Sequence, residues 1–245
     1  MVLPIKPMEK IFSSRRTLLK WGLVSIGAMA ATTIPQALNA QPSNSIKTLN
    51  FNADDFGILN FALMLEELET TFYAAAVNSG KLRDRNEVDY MKSLVSNESA
   101  HAAFLRQVLG RNAIFQTRDL SFNQAGLAAI LTDRSKILNT VVALEDAGIH
   151  AYNGAGTRLT NPTFLLAAGS IVSVEARHVA GIRSLLQRPT TEPDSERAVN
   201  DTELVPDINP LKGRAYDELY TTGQMLEIVS SLNILNNPIT GSLFA

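Results

Sequence analysis

The chain carries one arrangement of acidic residues and histidine twice, and this repeat constrains its fold more than any other feature. In each half a glutamate precedes a Glu-x-x-His pair, by 32 residues in the first half (66 to 98) and by 30 in the second (145 to 175). The residues concerned are Glu66, Glu98 and His101, then Glu145, Glu175 and His178. The repeat predicts two equivalent helical hairpins, each with one Glu on its first helix and one Glu-x-x-His on its second.

Four long stretches have the apolar spacing of helices, and each ends at a residue type that favours a helix terminus. They cover about 54–78, 86–109, 134–152 and 162–188. Asp54 and Asn161-Pro162 are start signals, Asn78-Ser79-Gly80 is a stop signal, and Gly154 and Gly156 are expected to end the third helix. The segment 111–133 is long enough for a crossover, with a short helix predicted near 124–131.

All six repeated residues fall on apolar stripes. Glu98 and His101 lie between Leu94 and Leu105 at helical spacing, and the corresponding residues of the second half have similar neighbours. Residues three apart on a helix point the same way and can bind one ion together. A buried carboxylate is costly unless it is paired or bound to a metal. Two divalent cations would balance the four negative charges, so the pattern predicts a site for two metal ions.

The surrounding motifs resemble those of the ferritin-like di-metal carboxylate proteins, and within them the desiccation-related group. The resemblance covers about 50–188 and rests on Leu65-Glu66-Glu67-Leu68-Glu69, Asn97-Glu98-Ser99-Ala100-His101, Leu144-Glu145-Asp146 and Val174-Glu175-Ala176-Arg177-His178. It implies an all-α fold, in which two hairpins joined by a long crossover form a four-helix bundle over 54–188. Residues 189–245 are then a C-terminal extension packed on the bundle. The implied cofactor is two iron ions, with manganese as the alternative because it uses the same ligands.

Several residues close to the predicted ligands are open to more than one interpretation. Glu66 has the helical phase of a ligand, whereas Glu69 either replaces it or contacts the ligands from one turn away. Tyr73 and Tyr152 each follow the first glutamate of their half by seven residues, and they either hydrogen-bond near the metals or only pack in the core.

Other polar residues near the repeat are expected to stay outside the site. Glu67 points about 100° away from Glu66 on a helix, so it is expected in solvent, and Asp146 has the same interpretation. Arg106 and Arg183 are expected to form salt bridges between helices. His150 is expected to be exposed on another face of its helix.

The first 40 residues have the organisation of an export signal. Residues 14–20, Ser-Arg-Arg-Thr-Leu-Leu-Lys, resemble the twin-arginine signal, with Arg15 and Arg16 as its arginine pair. The apolar stretch 21–34 is shorter than the roughly 20 residues that cross a bilayer, so cleavage near Ala40 and no lasting membrane span are predicted. The resemblance implies the translocation machinery as a partner and a periplasmic or other extracytoplasmic location. Residues 41–53 are predicted to be a linker.

Composition excludes several classes of function. The chain has no cysteine, which excludes disulfides, iron–sulfur clusters and thiolate zinc sites. Its net charge of -2 and lack of basic runs argue against nucleic-acid binding. No phosphate-binding glycine loop, H-E-x-x-H or G-x-S-x-G motif is found in the sequence.

Two functions fit these observations. The favoured one is a di-metal oxidoreductase, of ferroxidase or peroxidase/catalase type, acting on dioxygen, peroxide or Fe(II) in stress protection. The alternative is a non-catalytic metal-binding or structural protein that protects the cell envelope during drying or oxidation. Homo-oligomerisation is compatible with either function.

Overall fold

The computed structural model describes residues 45–190, 217 and 219–245. The predicted export signal over 1–40, with Arg15 and Arg16, lies outside the described residues, as do residues 191–216 and 218 of the predicted C-terminal extension. The export prediction therefore stays a prediction.

Six α-helices make up most of the described chain. They are α1 (Asp55–Asn78), α2 (Arg85–Leu109), α3 (Gln124–Ile130), α4 (Arg134–Gly156), α5 (Pro162–Leu185) and α6 (Thr222–Leu232). Each begins after a residue whose side chain accepts a hydrogen bond from a backbone N–H of the first turn: Asp54, Asp84, Asn123, Asp133, Asn161 and Thr221. These caps satisfy donors that have no partner inside the helix, and they fix where each helix starts.

The four long helices form the predicted pair of hairpins, α1 with α2 and α4 with α5. The connection between the hairpins contains α3 and two short 3-10 turns, Gly110–Asn112 and Thr117–Asp119. Helix α1 is buried on nearly every face between Gly57 and Ala76, which makes it the centre of the core. The prediction of an all-α bundle with a long crossover is confirmed.

The chain on both sides of the bundle is tied together by a short parallel sheet. Strand β1 (Leu49–Asn50) pairs with β2 (Ile239–Thr240). The Phe51 ring is fully buried and meets the rings of Phe61 and Phe244 edge-on. The prediction of a linker over 41–53 is therefore wrong for its last residues. Leu49 and Phe51 alternate with polar residues in this segment, and both side chains are buried in the core.

Helix α4 is longer than predicted, since it continues through Gly154 to Gly156. A Cβ at Gly154 would lie 2.0 Å from the carbonyl oxygen of Tyr220. Gly154 thus allows the C-terminal segment to approach the helix closely and does not end it. Helix α6 of that segment packs on α4.

Helix α5 is, among the described residues, long and apolar enough to cross a membrane by length and composition, with a mean hydropathy of 1.3 over its most apolar window. About a third of that window is buried in the bundle (33%). The buried face of α5 carries Glu175 and His178.

Candidate metal centre

The four long helices bring all six repeated residues together in the middle of the bundle. The side chains form two groups, each with ligand atoms that lie within 4.8 Å of one another: Glu66, Glu98, His101 and Glu175 in the first group, and Glu98, Glu145, Glu175 and His178 in the second. Glu98 and Glu175 belong to both groups. The two groups therefore share two carboxylates, while Glu66 and Glu145 each serve one group.

The two histidines face the shared carboxylates from opposite sides. Nδ1 of His101 lies 2.8 Å from Oε2 of Glu98 and 3.1 Å from Oε1 of Glu175. Nδ1 of His178 lies 2.9 Å from Oε1 of Glu98 and 3.5 Å from Oε2 of Glu175. Each shared carboxylate thus directs one oxygen to each histidine, which is the orientation of a carboxylate that bridges two sites.

The unshared glutamates complete the groups. Oε2 of Glu66 lies 3.2 Å from Nδ1 of His101, and Oε2 of Glu145 lies 3.3 Å from Nδ1 of His178. The repeat of the sequence is thereby reproduced as an approximate two-fold arrangement around the centre.

The buried polar atoms of the centre fit metal ions. The four glutamates are at most 1% exposed. Several of their oxygens, and Nδ1 of His178, have no partner in hydrogen-bond geometry: Glu98 Oε1, both oxygens of Glu145 and both of Glu175. In each group the ligand atoms lie within 4.8 Å of one another, close enough to bind one ion together. Buried carboxylates without partners are costly, and divalent cations bound by oxygen and imidazole nitrogen would remove that cost.

Electrostatics in the metal-free centre show how strongly the carboxylates need positive charge. Burial raises the pKa of Glu66 to about 8 and that of Glu145 well above its ordinary value. Burial also opposes the charged form of His101 and His178, but their carboxylate neighbours outweigh it and raise both pKa values to about 12. Burial would raise the pKa of Glu175 as well, yet the two histidines close to its carboxylate outweigh burial and lower that pKa to about 2. Without metal, the protons on the histidines therefore supply the positive charge.

A tyrosine connects the two hairpins through an unshared glutamate. The hydroxyl of Tyr152 on α4 donates a short hydrogen bond to Oε1 of Glu66 on α1. Tyr73 on α1 is the equivalent residue of the first half, seven residues after Glu66, and burial and then the charge of Glu145 on α4 raise its pKa well above the ordinary value. Tyr152 therefore fits the interpretation that these tyrosines hydrogen-bond near the ligands, and not the one in which they only pack in the core.

Glu69 belongs to neither ligand group in the part of the chain that the structure describes. It is buried against α4, where its Oε1 would lie 3.7 Å from a Cβ at Gly148. Burial and then the charge of Glu66 raise its pKa well above the ordinary value. Glu69 is therefore a neighbour of the ligand groups, and Glu66 has the ligand position that helical phase favours.

A layer of ion pairs lies just outside the ligands. Arg106 of α2 donates to Glu67 of α1 with its Nε at 2.9 Å, and Arg183 of α5 donates to both oxygens of Asp146 at 2.8 and 2.9 Å. The expected salt bridges between helices are present. The expected exposure of Glu67 and Asp146 is wrong, because each carboxylate is buried under the arginine of the neighbouring helix (7% and 4% exposed).

One further side chain contradicts its predicted exposure, and another makes a contact near the ligands that the sequence did not predict. His150 was expected to be exposed but is 2% exposed, because the Tyr220 ring of the C-terminal segment covers it with centroids 4.3 Å apart. The amide of Asn97 lies 2.9 Å from Nε2 of His178 and supports the ring from the side opposite the carboxylates. The position of Asn97 directly before Glu98 in the motif was the only sequence signal for this contact.

A family model for the ferritin-like domain matches residues 54–188, which is more than half of the chain and includes all four long helices. No curated protein matches the chain.

Proposed function

Since the chain belongs to the family of ferritin-like domains, we propose that it binds two iron ions, or two manganese ions, and carries out redox chemistry with dioxygen, peroxide or Fe(II). The observation that carries the proposal is the sharing of Glu98 and Glu175 between two ligand groups. Two shared carboxylates would hold two cations in one centre, whereas a site for a single ion does not require shared ligands.

The ligand set also favours redox-active metals. Carboxylate oxygens with one imidazole per ion suit iron and manganese, and zinc sites built on thiolates are excluded because the chain has no cysteine. When bound, such a pair of ions supplies the ability to exchange electrons with dioxygen or peroxide.

The chain's own residues have three tasks in this proposal. The four glutamates neutralise the ions and orient them. Tyr152 fixes the direction of Glu66, and Asn97 fixes the ring of His178. The apolar residues packed around the buried carboxylates exclude bulk water, which strengthens the interactions between charges in the centre.

We further propose that the protein acts outside the cytoplasm, in protection against oxidative or drying stress. The support is the resemblance of residues 14–20 to the twin-arginine signal and of the ligand motifs to the desiccation-related group. The twin-arginine route carries folded proteins, so the metal ions would be inserted before export.

Anaerobic titration with Fe(II) followed by dioxygen tests the proposal directly. We expect two Fe(II) to bind per chain and to be oxidised on addition of dioxygen or peroxide, with a new absorbance in the near ultraviolet. Glu145→Ala should bind less metal, while Glu227→Gln on the exposed face of α6 should behave as the unmodified protein. Binding of two ions without any Fe(II) oxidation would leave the non-catalytic, protective function. Failure to bind metal would contradict the redox function and any metal-binding role, and would leave only the structural alternative.

A further inference from the structure

An apolar pocket of about 40 Å³ lies beside the metal centre, between α1, α4, the beginning of α5 and the C-terminal segment. Its walls include Leu59, Ala62 and Leu65 of α1 and Ala151 and Ala155 of α4. At 10–15 Å³ for each water, a space of this size has room for about three water-sized molecules. It can therefore hold a small molecule but not a bulky substrate.

One side chain of the pocket wall contacts a predicted ligand directly. Tyr152 lines the pocket, and its hydroxyl donates to the Glu66 carboxylate. Leu65, another wall residue, directly precedes Glu66 on α1. A molecule in the pocket is thus next to the residue that contacts Glu66, and Glu66 belongs to the first ligand group only.

The internal repeat shows that the fold does not require this space. At the positions related to them by the repeat, the pocket residues Ala62, Ala151 and Ala168 have larger counterparts in the opposite half: Val141, Phe72 and Met91. All three are fully buried (0% exposed) and fill the corresponding region beside Tyr73. Larger side chains therefore occupy these positions on the side of Tyr73, whereas smaller ones line the pocket on the side of Tyr152.

The walls define the chemistry of the occupant. They are almost entirely apolar. The charged residue at the rim, Arg158, donates to Oγ1 of Thr222 and to the carbonyl oxygen of Leu243, so its guanidinium is engaged within the protein. A peroxide or an organic anion would lose hydrogen bonds to water in such a pocket without replacing them, whereas an apolar diatomic molecule loses none.

We propose that this pocket binds dioxygen next to the first ligand group. The role of the bound gas rests on the proposed redox function, whereas binding itself depends only on the pocket. The proposal is a binding step in which no bond is made or broken.

Xenon is a suitable probe of the pocket because it is apolar and of similar size, and it enters dry apolar cavities. We expect xenon under pressure to shift the methyl resonances of Leu59 and Leu65 in the isotope-labelled full-length mature protein. Ala168→Met, which introduces the side chain found at the equivalent position of the other half, should abolish these shifts. Ala167→Met, on the same helix but outside the pocket wall, should leave them unchanged. Met91→Ala should create a second xenon site beside Tyr73.

The rate of Fe(II) oxidation by the iron-loaded protein tests whether the pocket supplies dioxygen to the centre. In Ala168→Met we expect the rate of Fe(II) oxidation by dioxygen to fall about tenfold and the rate with hydrogen peroxide to change by less than twofold. Ala167→Met should retain both rates. A parallel loss with both oxidants would indicate general damage to the centre and overturn the proposal, and so would unchanged rates with dioxygen.

The two proposals fail in different ways. If the unmodified protein binds xenon in the pocket but never oxidises Fe(II), the redox function is wrong and the pocket is still a site for a small apolar molecule. If xenon causes no shift at Leu59 and Leu65, the pocket proposal is wrong whatever the iron chemistry.

Discussion

Shared and unshared carboxylates differ in what their loss should do to the centre. Glu98 contributes one oxygen to each ligand group, whereas Glu66 contributes to one group only. We expect Glu98→Ala to reduce bound metal from two ions per chain to well below one, and Glu66→Ala to reduce it to about one, because the second group keeps all four of its ligands. Elemental analysis after anaerobic loading measures both. Equal losses in the two variants would contradict the bridging arrangement.

The Arg183–Asp146 pair allows a similar test of stability. Both side chains are buried, and removal of the guanidinium leaves the Asp146 carboxylate buried without that cation. Breaking a buried pair from one side costs about 3–5 kcal/mol, so we expect Arg183→Met to lower the free energy of unfolding by that amount in urea titrations. The double variant with Asp146→Leu should recover much of the loss.

A surface pair on α2 serves as the control for this measurement. Arg85 and Asp89 are 3.6 Å apart but are 94% and 57% exposed. Solvent screens such a pair, and Arg85→Met should cost about 1 kcal/mol or less. A similar cost at positions 85 and 183 would show that burial of the Arg183 pair does not affect stability.

At the scale of elements, a single glycine lets α2 and α5 approach each other. A Cβ at Gly181 of α5 would lie 2.0 Å from the hydroxyl of Tyr90 of α2, which donates to the carbonyl oxygens of Arg177 and His178. In an open helical position alanine is more stable than glycine by about 1 kcal/mol. At position 181 we expect the opposite sign, a loss of about 1–3 kcal/mol from overpacking, measured by urea unfolding.

Gly169 provides the matched control on the same helix. A Cβ there would have no neighbour within 4 Å, so Gly169→Ala should stabilise the protein by about 0.5–1 kcal/mol. Combining Gly181→Ala with Tyr90→Ala should cost less than the sum of the single changes, because the clash is absent once the ring is removed. Stabilisation by Gly181→Ala alone would contradict the close contact.

The elements show which parts of the fold the sequence could predict. Helix starts at Asp54 and at Asn161-Pro162 were predicted correctly because capping is local chemistry between neighbouring residues. The end of α4 was predicted too early because Gly154 is required by Tyr220, 66 residues further along the chain (154 to 220). No local pattern contains such a contact.

The same division holds for the candidate site. Its ligand set could be predicted because repetition and helical spacing alone place six residues on buried faces. The burial of His150, Glu67 and Asp146 could not, since each is covered by a residue from another element: Tyr220, Arg106 and Arg183. A polar residue next to an apolar stripe gives the same sequence pattern whether its side chain is exposed to solvent or covered by an arginine of another helix.

At the scale of the whole molecule, the buried charges make the stability of the metal-free protein depend on pH in an unusual direction. Burial raises the pKa of Glu66 to about 8 in the folded state, and raises those of Glu69 and Glu145 as well. Between pH 5 and 8 the folded chain therefore holds protons that the unfolded chain has released, and stability falls as pH rises. The two histidines, with pKa values raised to about 12, act in the same direction above pH 6.5.

Glu175 does not cancel this effect, although its pKa is shifted the other way. The pKa of Glu175 is lowered to about 2, so its contribution to stability is already complete above pH 4.5 and is lost only as pH falls towards 2. The raised pKa values of Glu66, Glu69, Glu145 and the two histidines thus all favour the lower pH between pH 5 and 8. The melting temperature of the metal-free protein should fall over that range by more than about 3 °C, the change that 1 kcal/mol gives a chain of this size.

Saturating Mn(II) should reverse the trend. Metal ions bind the deprotonated carboxylates and the neutral imidazole nitrogens, so protons compete with them and the stabilisation by metal increases from pH 5 to pH 8. Thermal unfolding followed by circular dichroism, with and without Mn(II), measures both slopes on one sample. Glu227→Gln, outside the centre, should leave both unchanged. A metal-free melting temperature that rises with pH would mean that the buried glutamates are not held protonated, and that the charges of the centre are balanced by groups other than its two histidines.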